Sequence, residues 1–286
     1  MTIYLLGSGP ITRVIYNDLL SEGQDASIVS KSKTHSNECH NSLNYTDFTL
    51  IKLTCEDKVI IAWRSMGAGL VGTERDAVIS ALGTNLRNVN KIIYLSSGSI
   101  YGNSSEVFSE ETIANPQTTY AREKLEIESW LHEVQSEETI VCRISNVVGA
   151  SGLPNLLNTI LSDFKNREPI TLFEPNRFMR DYISVDMVSR FIRFFLHDYQ
   201  SQDLVLDTFN ISSNDPVSTS TILKCIRDIL GYDIPYTTLA IPDGIPSSNR
   251  LNNEKVLEIS KINFSEPRIS LIDYIQTRVN ELLLNL

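Results

Sequence analysis

Two short stretches carry groups that could share one proton path. LSSGSIYG at 95–102 supplies hydroxyls, Ser97 and Ser99 among them, and YAREK at 120–124 sets a phenol four residues before an ammonium. On a helix, residues i and i+4 lie on one face, so Tyr120 and Lys124 can point toward one ligand. A free phenol, with a pKa of about 10, is a poor base at neutral pH. A nearby ammonium stabilises the phenolate and lowers that value. Tyr120 could then give a proton to a ketone or take one from an alcohol. A serine hydroxyl ending the preceding strand could bind and polarise the same oxygen. A YxxxK spacing alone is common. Its weight here comes from order: a strand ending in Ser-Ser, a loop containing Asn-Pro, then a helix that opens on the tyrosine.

The surrounding segments alternate between two kinds. TIYLL (2–6), ASIVS (26–30), KVIIAW (58–63), KIIYLSS (91–97) and TIVCRISNVVG (139–149) are short, near-continuous apolar runs. ITRVIYNDLLSEG (11–23), ERDAVISALGTNL (74–86) and TYAREKLEIESWLHEV (119–134) have helical spacing. The polar run KSKTHSNECHNSLNYTD (31–47) reads as loop. Apolar strands alternating with helices predict an α/β fold, a Rossmann-like doubly wound parallel sheet covered on both faces, over residues 1–150. Beyond that the rhythm loosens, with Pro and Gly at 152–154 and 235–246 and three amphipathic helices, VSRFIRFFLHDY, TSTILKCIRDILG and LIDYIQTRVNELLL. The expectation is a smaller mixed α/β C-terminal substrate lobe over 151–286, with part of 180–212 returning to the sheet domain.

Bulk composition narrows the function. The 286 residues carry a net charge of −10, with 42% hydrophobic and 21% charged residues and no long basic run. That argues against nucleic acid as the main partner. A small anion is still admissible, because local backbone N–H groups bind it whatever the global charge. The cysteines Cys39, Cys55, Cys142 and Cys225 form no CxxC pair, and His35, His40, His132 and His197 form no HExxH array. The expected metal content is none. No stretch approaches the ~20 apolar residues that span a bilayer. The N-terminus lacks a basic export region, so the expectation is cytoplasmic with no membrane partner.

A strand feeding Gly7-x-Gly9 into a helix suits a dinucleotide pyrophosphate: glycine lets the backbone approach, and the helix N-terminus offers N–H groups. The full fingerprint has a third glycine, where this chain has Thr12. A threonine there is expected to crowd the helix against the strand. After the second strand an acidic residue would mark NAD. Here Ser30, Lys31, Ser32 and Lys33 follow instead, and hydroxyls with ammonium groups suit a ribose 2′-phosphate, which favours NADP(H) over NAD(H).

With these motifs assembled, the chain resembles the extended short-chain dehydrogenase/reductases, the NAD-dependent epimerase/dehydratase group acting on nucleotide sugars. LSSGSIYG resembles its SSxxxYG segment, YAREK its YxxxK, RISNVVG (143–149) its RxxNxxG and RDYISVDMV (180–188) its RDxxxVxD. FNISSNDPVSTSTILKCIRDILG (209–231) and NRLNNEKVLEIS near the C-terminus resemble two further family segments, in the right order. The resemblance implies Ser97, Tyr120 and Lys124 as catalytic residues, with Ser99 assisting. It implies a cofactor set of Gly7, Gly9, Ile11, Ser30, Lys31, Lys33, Ala62 and Lys124. Asn146 and Asn155 would contact the sugar or its diphosphate, and Arg180 and Arg250 the phosphates. VIIAWRS (59–65) departs from the family's His-x-Ala-Ala segment.

A dehydratase of this family carries Asp-Glu just after the catalytic Ser/Thr. Gly98 and Ser99 stand there, which excludes that reaction. The implied activity is NADP-dependent reduction of a nucleotide-diphosphate sugar, a 4-keto-6-deoxy sugar of the kind used in surface-polysaccharide sugar synthesis. A nucleotide-sugar 4-epimerase is the alternative, and a non-catalytic NADP-binding regulator the second. By analogy, the 74–86 and 119–134 helices would join two copies as a homodimer.

Overall fold

The computed structural model describes residues 1–31, 42–66, 70–150, 152–153, 155–201, 206–240, 248–262 and 271–284. Its centre is a seven-stranded, all-parallel sheet. In chain order the strands are β1 (Ile3–Leu6), β2 (Ala26–Ser30), β3 (Ser42–Asn44), β4 (Lys58–Ile61), β5 (Lys91–Ser97), β7 (Glu138–Ile144) and β12 (Leu206–Ile211). Across the sheet they run β12-β7-β5-β4-β1-β2-β3. Apolar runs such as IYLL in β1 and KIIYLS in β5 are buried along their length, because helices cover both faces. One face packs on α1 (Pro10–Ser21) and α6 (Val185–His197) through Ile15, Leu19, Phe191 and Phe195. The other packs under α2 (Tyr45–Thr49), α3 (Gly72–Leu86) and α4 (Thr119–Val134) through Phe48, Leu82, Ile127 and Leu131.

Strand order reverses between β1 and β4, where an open α/β sheet leaves a crevice at its C-terminal edge. Gly7 and Ala62 follow these two strands and meet there. The Gly7 amide donates to Val29 (2.7 Å) and the Ala62 amide to Leu6 (2.9 Å).

The second half contributes β6 (Val107–Phe108), β8 (Asn146–Val148), α5 (Leu156–Asn166), β9 (Thr171–Phe173), β10 (Met179–Arg180) and β11 (Tyr182–Ser184). It continues with β13 (Val217–Ser218), α7 (Thr219–Leu230), β14 (Thr237–Leu239), β15 (Ser248–Leu251), α8 (Glu254–Ser260) and α9 (Leu271–Leu284). Small sheets β13-β10-β15-β6, β11-β8 and β14-β9 join them. Helices α5, α7 and α9 share a core of Leu157, Ile160, Ile222, Ile226 and Val279.

Two expectations are corrected. The 31–47 segment is not all loop: 42–44 adds an edge strand to the sheet and α2 follows, capped by the Asn44 side chain (2.7 Å to the Asp47 amide). Both elements are too short to leave a periodic signal. The 139–149 run is two strands. Residues 146–148 leave the large sheet to pair with β11, Asn146 opposite Tyr182.

Candidate active site

Ser97 ends β5. Its hydroxyl accepts from the Ser99 amide (3.2 Å) and lies 3.0 Å from the Ser99 hydroxyl, so the two serines cap a tight 3-10 turn, Gly98–Tyr101. Gly98 is enclosed: a Cβ there would come within 2.7 Å of the buried Leu251 side chain. Tyr101 is not a site group. It is buried, with its hydroxyl donating to Asn210 (2.9 Å) and accepting from Arg143 (2.8 Å).

Thr118 caps α4 through the Ala121 amide (3.1 Å), which brings Tyr120 into the first turn and Lys124 one turn on. Tyr120 keeps 36% of its surface exposed. Burial of its phenol is still the largest influence on its pKa and raises it, while the Ser97 hydroxyl and the Arg64 charge pull it down. Lys124 is buried. Its ammonium donates to the carbonyls of Trp63 and Leu95, both at 2.6 Å, and lies 5.0 Å from the Tyr94 ring and 5.9 Å from the Tyr120 ring. Burial brings its pKa down to about 7, against the opposing pull of Glu128. In this structure its ammonium is bonded to two carbonyls, and Ser97 and Arg64 are the groups that lower the Tyr120 pKa.

A cleft of about 180 Å³ opens beside Ser97, with Ser99, Asn146 and Arg180 on its walls. Asn103, Gln117 and Asn249 line it too, and sequence reasoning missed them. Asn249 donates to Gly98 O (3.0 Å) and Gly102 O (2.7 Å), fixing the serine turn to the small sheet. Its signal was adjacency to Arg250, and that of Gln117 its place just before YAREK.

Asn146 donates from Nδ2 to the Asp181 carbonyl (2.9 Å). Arg180 lies opposite Asn249 in the β10–β15 pair, its guanidinium 5.0 Å from the Phe178 ring. Arg250 and Asn155 do not line the cleft. Arg250 donates to Ser105 O (2.6 Å), with its Nε buried and unpartnered. Asn155 caps α5 through Oδ1 (2.9 Å to the Asn158 amide), and its Nδ2 is buried without a partner.

The cofactor turn fits a dinucleotide. Gly7 has φ +123°, and a Cβ would press the Ala62 carbonyl at 3.2 Å, so only glycine suits this approach. Gly9 caps α1, and the first intrahelical bond runs from Arg13 N to Gly9 O (3.1 Å), leaving the Ile11 and Thr12 amides ahead of it. Pro10 at the first turn gives no N–H. Thr12, in place of the third glycine, is buried at 1% exposure. Ser30 is buried and Lys31 exposed just past β2. Lys33 lies outside the described residues.

With this geometry in view, comparison with known proteins finds that the sequence model of the NAD-dependent epimerase/dehydratase family matches residues 72–212 of the chain. dTDP-4-dehydro-6-deoxyglucose reductase of Escherichia coli is 28% identical over 165 residues, covering 52% of this chain and 51% of that one. UDP-glucose 4-epimerase of Lactobacillus helveticus is 27% identical over 190 residues, covering 57% of this chain and 56% of that one. The chain spans about half the length of the curated relatives it matches. Among solved structures, MoeE5 in complex with UDP-glucuronic acid and NAD superposes with a TM-score of 0.78, covering 100% of both chains. At 15% identity that likeness shows the fold alone.

Proposed function

We propose that the chain is an NADP(H)-dependent reductase of a nucleotide-linked sugar, with a 4-keto-6-deoxy sugar as the favoured substrate. The observation that carries this is the cleft beside Ser97, whose hydroxyl meets the Tyr120 phenol. Its lining holds hydroxyls, amides and one guanidinium, with no carboxylate among the described residues. Such a wall can hold sugar hydroxyls and polarise a carbonyl, but it offers no acid/base pair for removing water. Gly98, closed off by Leu251, leaves no space for one.

Gly7, Gly9, Ile11 and Ala62 would hold the dinucleotide across the β1–β4 crevice, with Lys124 beneath its nicotinamide ribose. When bound, a nicotinamide dinucleotide supplies the hydride. Tyr120 gives its phenolic proton to the carbonyl oxygen that becomes the new hydroxyl. Ser97 donates a hydrogen bond to the same oxygen and Ser99 orients Ser97. Arg180 and Arg250 face the diphosphate, as planar donors suited to paired oxygens. Asn146 and Asn155 bind the sugar or its diphosphate through their amides.

The dTDP-4-dehydro-6-deoxyglucose reductase relative favours reduction. The UDP-glucose 4-epimerase relative supports the second reading, in which the same residues oxidise and re-reduce one sugar carbon. A homodimer through α3 and α4 would be a polar one, since the exposed residues there include Glu74, Asp76, Ser80, Arg122, Glu126 and Glu133.

The test is NADPH absorbance with a panel of nucleotide-linked 4-keto-6-deoxy sugars. Loss that depends on one of them supports the reductase. Tightly held NAD in the isolated protein, with interconversion of epimers and no net NADPH loss, replaces it with the epimerase. NADPH binding without either reaction, unaffected by Tyr120→Phe, replaces both with a regulator.

A further inference from the structure

We propose that Arg64 is a positioning residue for the acid/base tyrosine: its guanidinium, held beside the Tyr120 ring, is the standing positive charge that favours the phenolate. This rests on the reading of Tyr120 as acid/base. Arg64 leaves the C-terminal end of β4, in the VIIAWRS segment where the family resemblance breaks. The guanidinium carbon lies 5.7 Å from the Tyr120 ring centroid. The residue is exposed, and no carboxylate pairs with it among the described residues.

The other groups around Tyr120 cannot fill this role. Ser97, from β5, offers a neutral hydroxyl. Tyr94, also from β5, is a second phenol that burial keeps protonated. Lys124, on the same helix, is 5.9 Å from the Tyr120 ring and holds two carbonyls. Burial leaves it only partly charged near neutrality, and Glu128 acts on it from one turn further along. A guanidinium is charged at every pH the protein experiences. The backbone leading to Arg64 is tied to the same helix: the carbonyl of Trp63, the residue before it, accepts from Lys124. The two cations are thus set around one phenol by a single turn of chain.

The test is a tyrosinate absorbance titration of the wild type, Arg64→Gln and Arg64→Lys, each against its Tyr120→Phe counterpart so that the difference reports Tyr120. Far-UV circular dichroism at each pH restricts the comparison to folded protein. The expected result is that at a fixed alkaline pH the ionised fraction of Tyr120 falls roughly threefold or more in Arg64→Gln and is largely kept in Arg64→Lys. In turnover, the limb reporting tyrosine ionisation moves to higher pH in Arg64→Gln alone. Equal ionisation in all three proteins overturns the proposal, and so does an equal fall in both variants, which would mean packing rather than charge. The catalytic reading fails separately, if Tyr120→Phe alone leaves turnover intact.

Discussion

The two ends of the candidate site are built differently. The chemical end hangs on β5 and α4, both inside the large sheet layer. There the Ser97 hydroxyl is bonded to Ser99, and the Lys124 ammonium to two carbonyls. Beneath them Glu128 accepts from Ser96 and from Arg143 (2.9 Å). The phosphate end hangs on strands of two to four residues and on the start of α5. There Asn155 Nδ2 and Arg250 Nε are buried and unpartnered. An unmade buried hydrogen bond costs about 1–3 kcal/mol, so each of these atoms weakens its end of the fold until something pairs with it. The chemical end is preorganised by its own hydrogen bonds, whereas the proposed phosphate end keeps two buried polar atoms without a partner.

The largest expected effect breaks the chemical end. Tyr120→Phe removes the proton donor and keeps the ring, so turnover should fall about 10²–10⁴-fold with cofactor binding and melting temperature little changed. Full activity in that variant would remove the acid/base role. Lys124→Met should also abolish turnover, and it carries a second signature. The wild-type lysine has a pKa of about 7 in the fold against an ordinary 10.5. Between those values the unfolded chain binds more protons, so this group makes stability rise with pH from about 7 to about 10.5. Urea midpoints across that window should climb in the wild type, and the climb attributable to this group should be absent from the variant. Parallel curves would mean the ammonium is not held as described.

The next effect probes the phosphate end. Arg180→Ala and Arg250→Ala should each raise KM for the nucleotide sugar by roughly 10–100-fold, since hydrogen bonds to charged groups contribute ~1.5–3 kcal/mol. The kcat should move much less. That split between KM and kcat sharpens the contrast with Tyr120→Phe. If kcat instead collapses in Arg180→Ala, the cleft wall and the chemistry are one unit, and the division between the two ends fails.

Legibility in the sequence follows the same division. The parallel sheet, and α4 at 119–134, could be read because continuous apolar runs and helical spacing survive over many residues. Ser97, Tyr120 and Lys124 could be read because one strand end and one helix turn fix their relation. Asn249 and Gln117 could not. They reach the cleft from loop or short strand, and nothing local says where such a residue points. Thr12 stands where the fingerprint has a glycine, and the structure buries its side chain under α1. Arg64 was overlooked because a departure from the family pattern was read as a loss rather than as a new charge.

The smallest expected effect concerns cofactor choice, past the end of β2 and outside both ends of the site. Lys31 is exposed just past β2, whereas Ser30 is buried and paired in the sheet opposite Asn44. Of these two, the exposed lysine is the one proposed to meet a 2′-phosphate. An exposed ion pair contributes about 0.2–1 kcal/mol, so one lysine can shift preference only by a factor of a few. Lys31→Glu both removes the cation and adds a carboxylate that can accept from a free ribose 2′-hydroxyl. The ratio of kcat/KM for NADPH over NADH should therefore fall by more than Lys31→Ala achieves, with Tyr120-dependent chemistry untouched. The shift should shrink as salt is raised, because the charge is solvent-exposed. A wild type that prefers NADH, with a ratio that neither variant moves, would assign these lysines to solvent and return the cofactor to NAD.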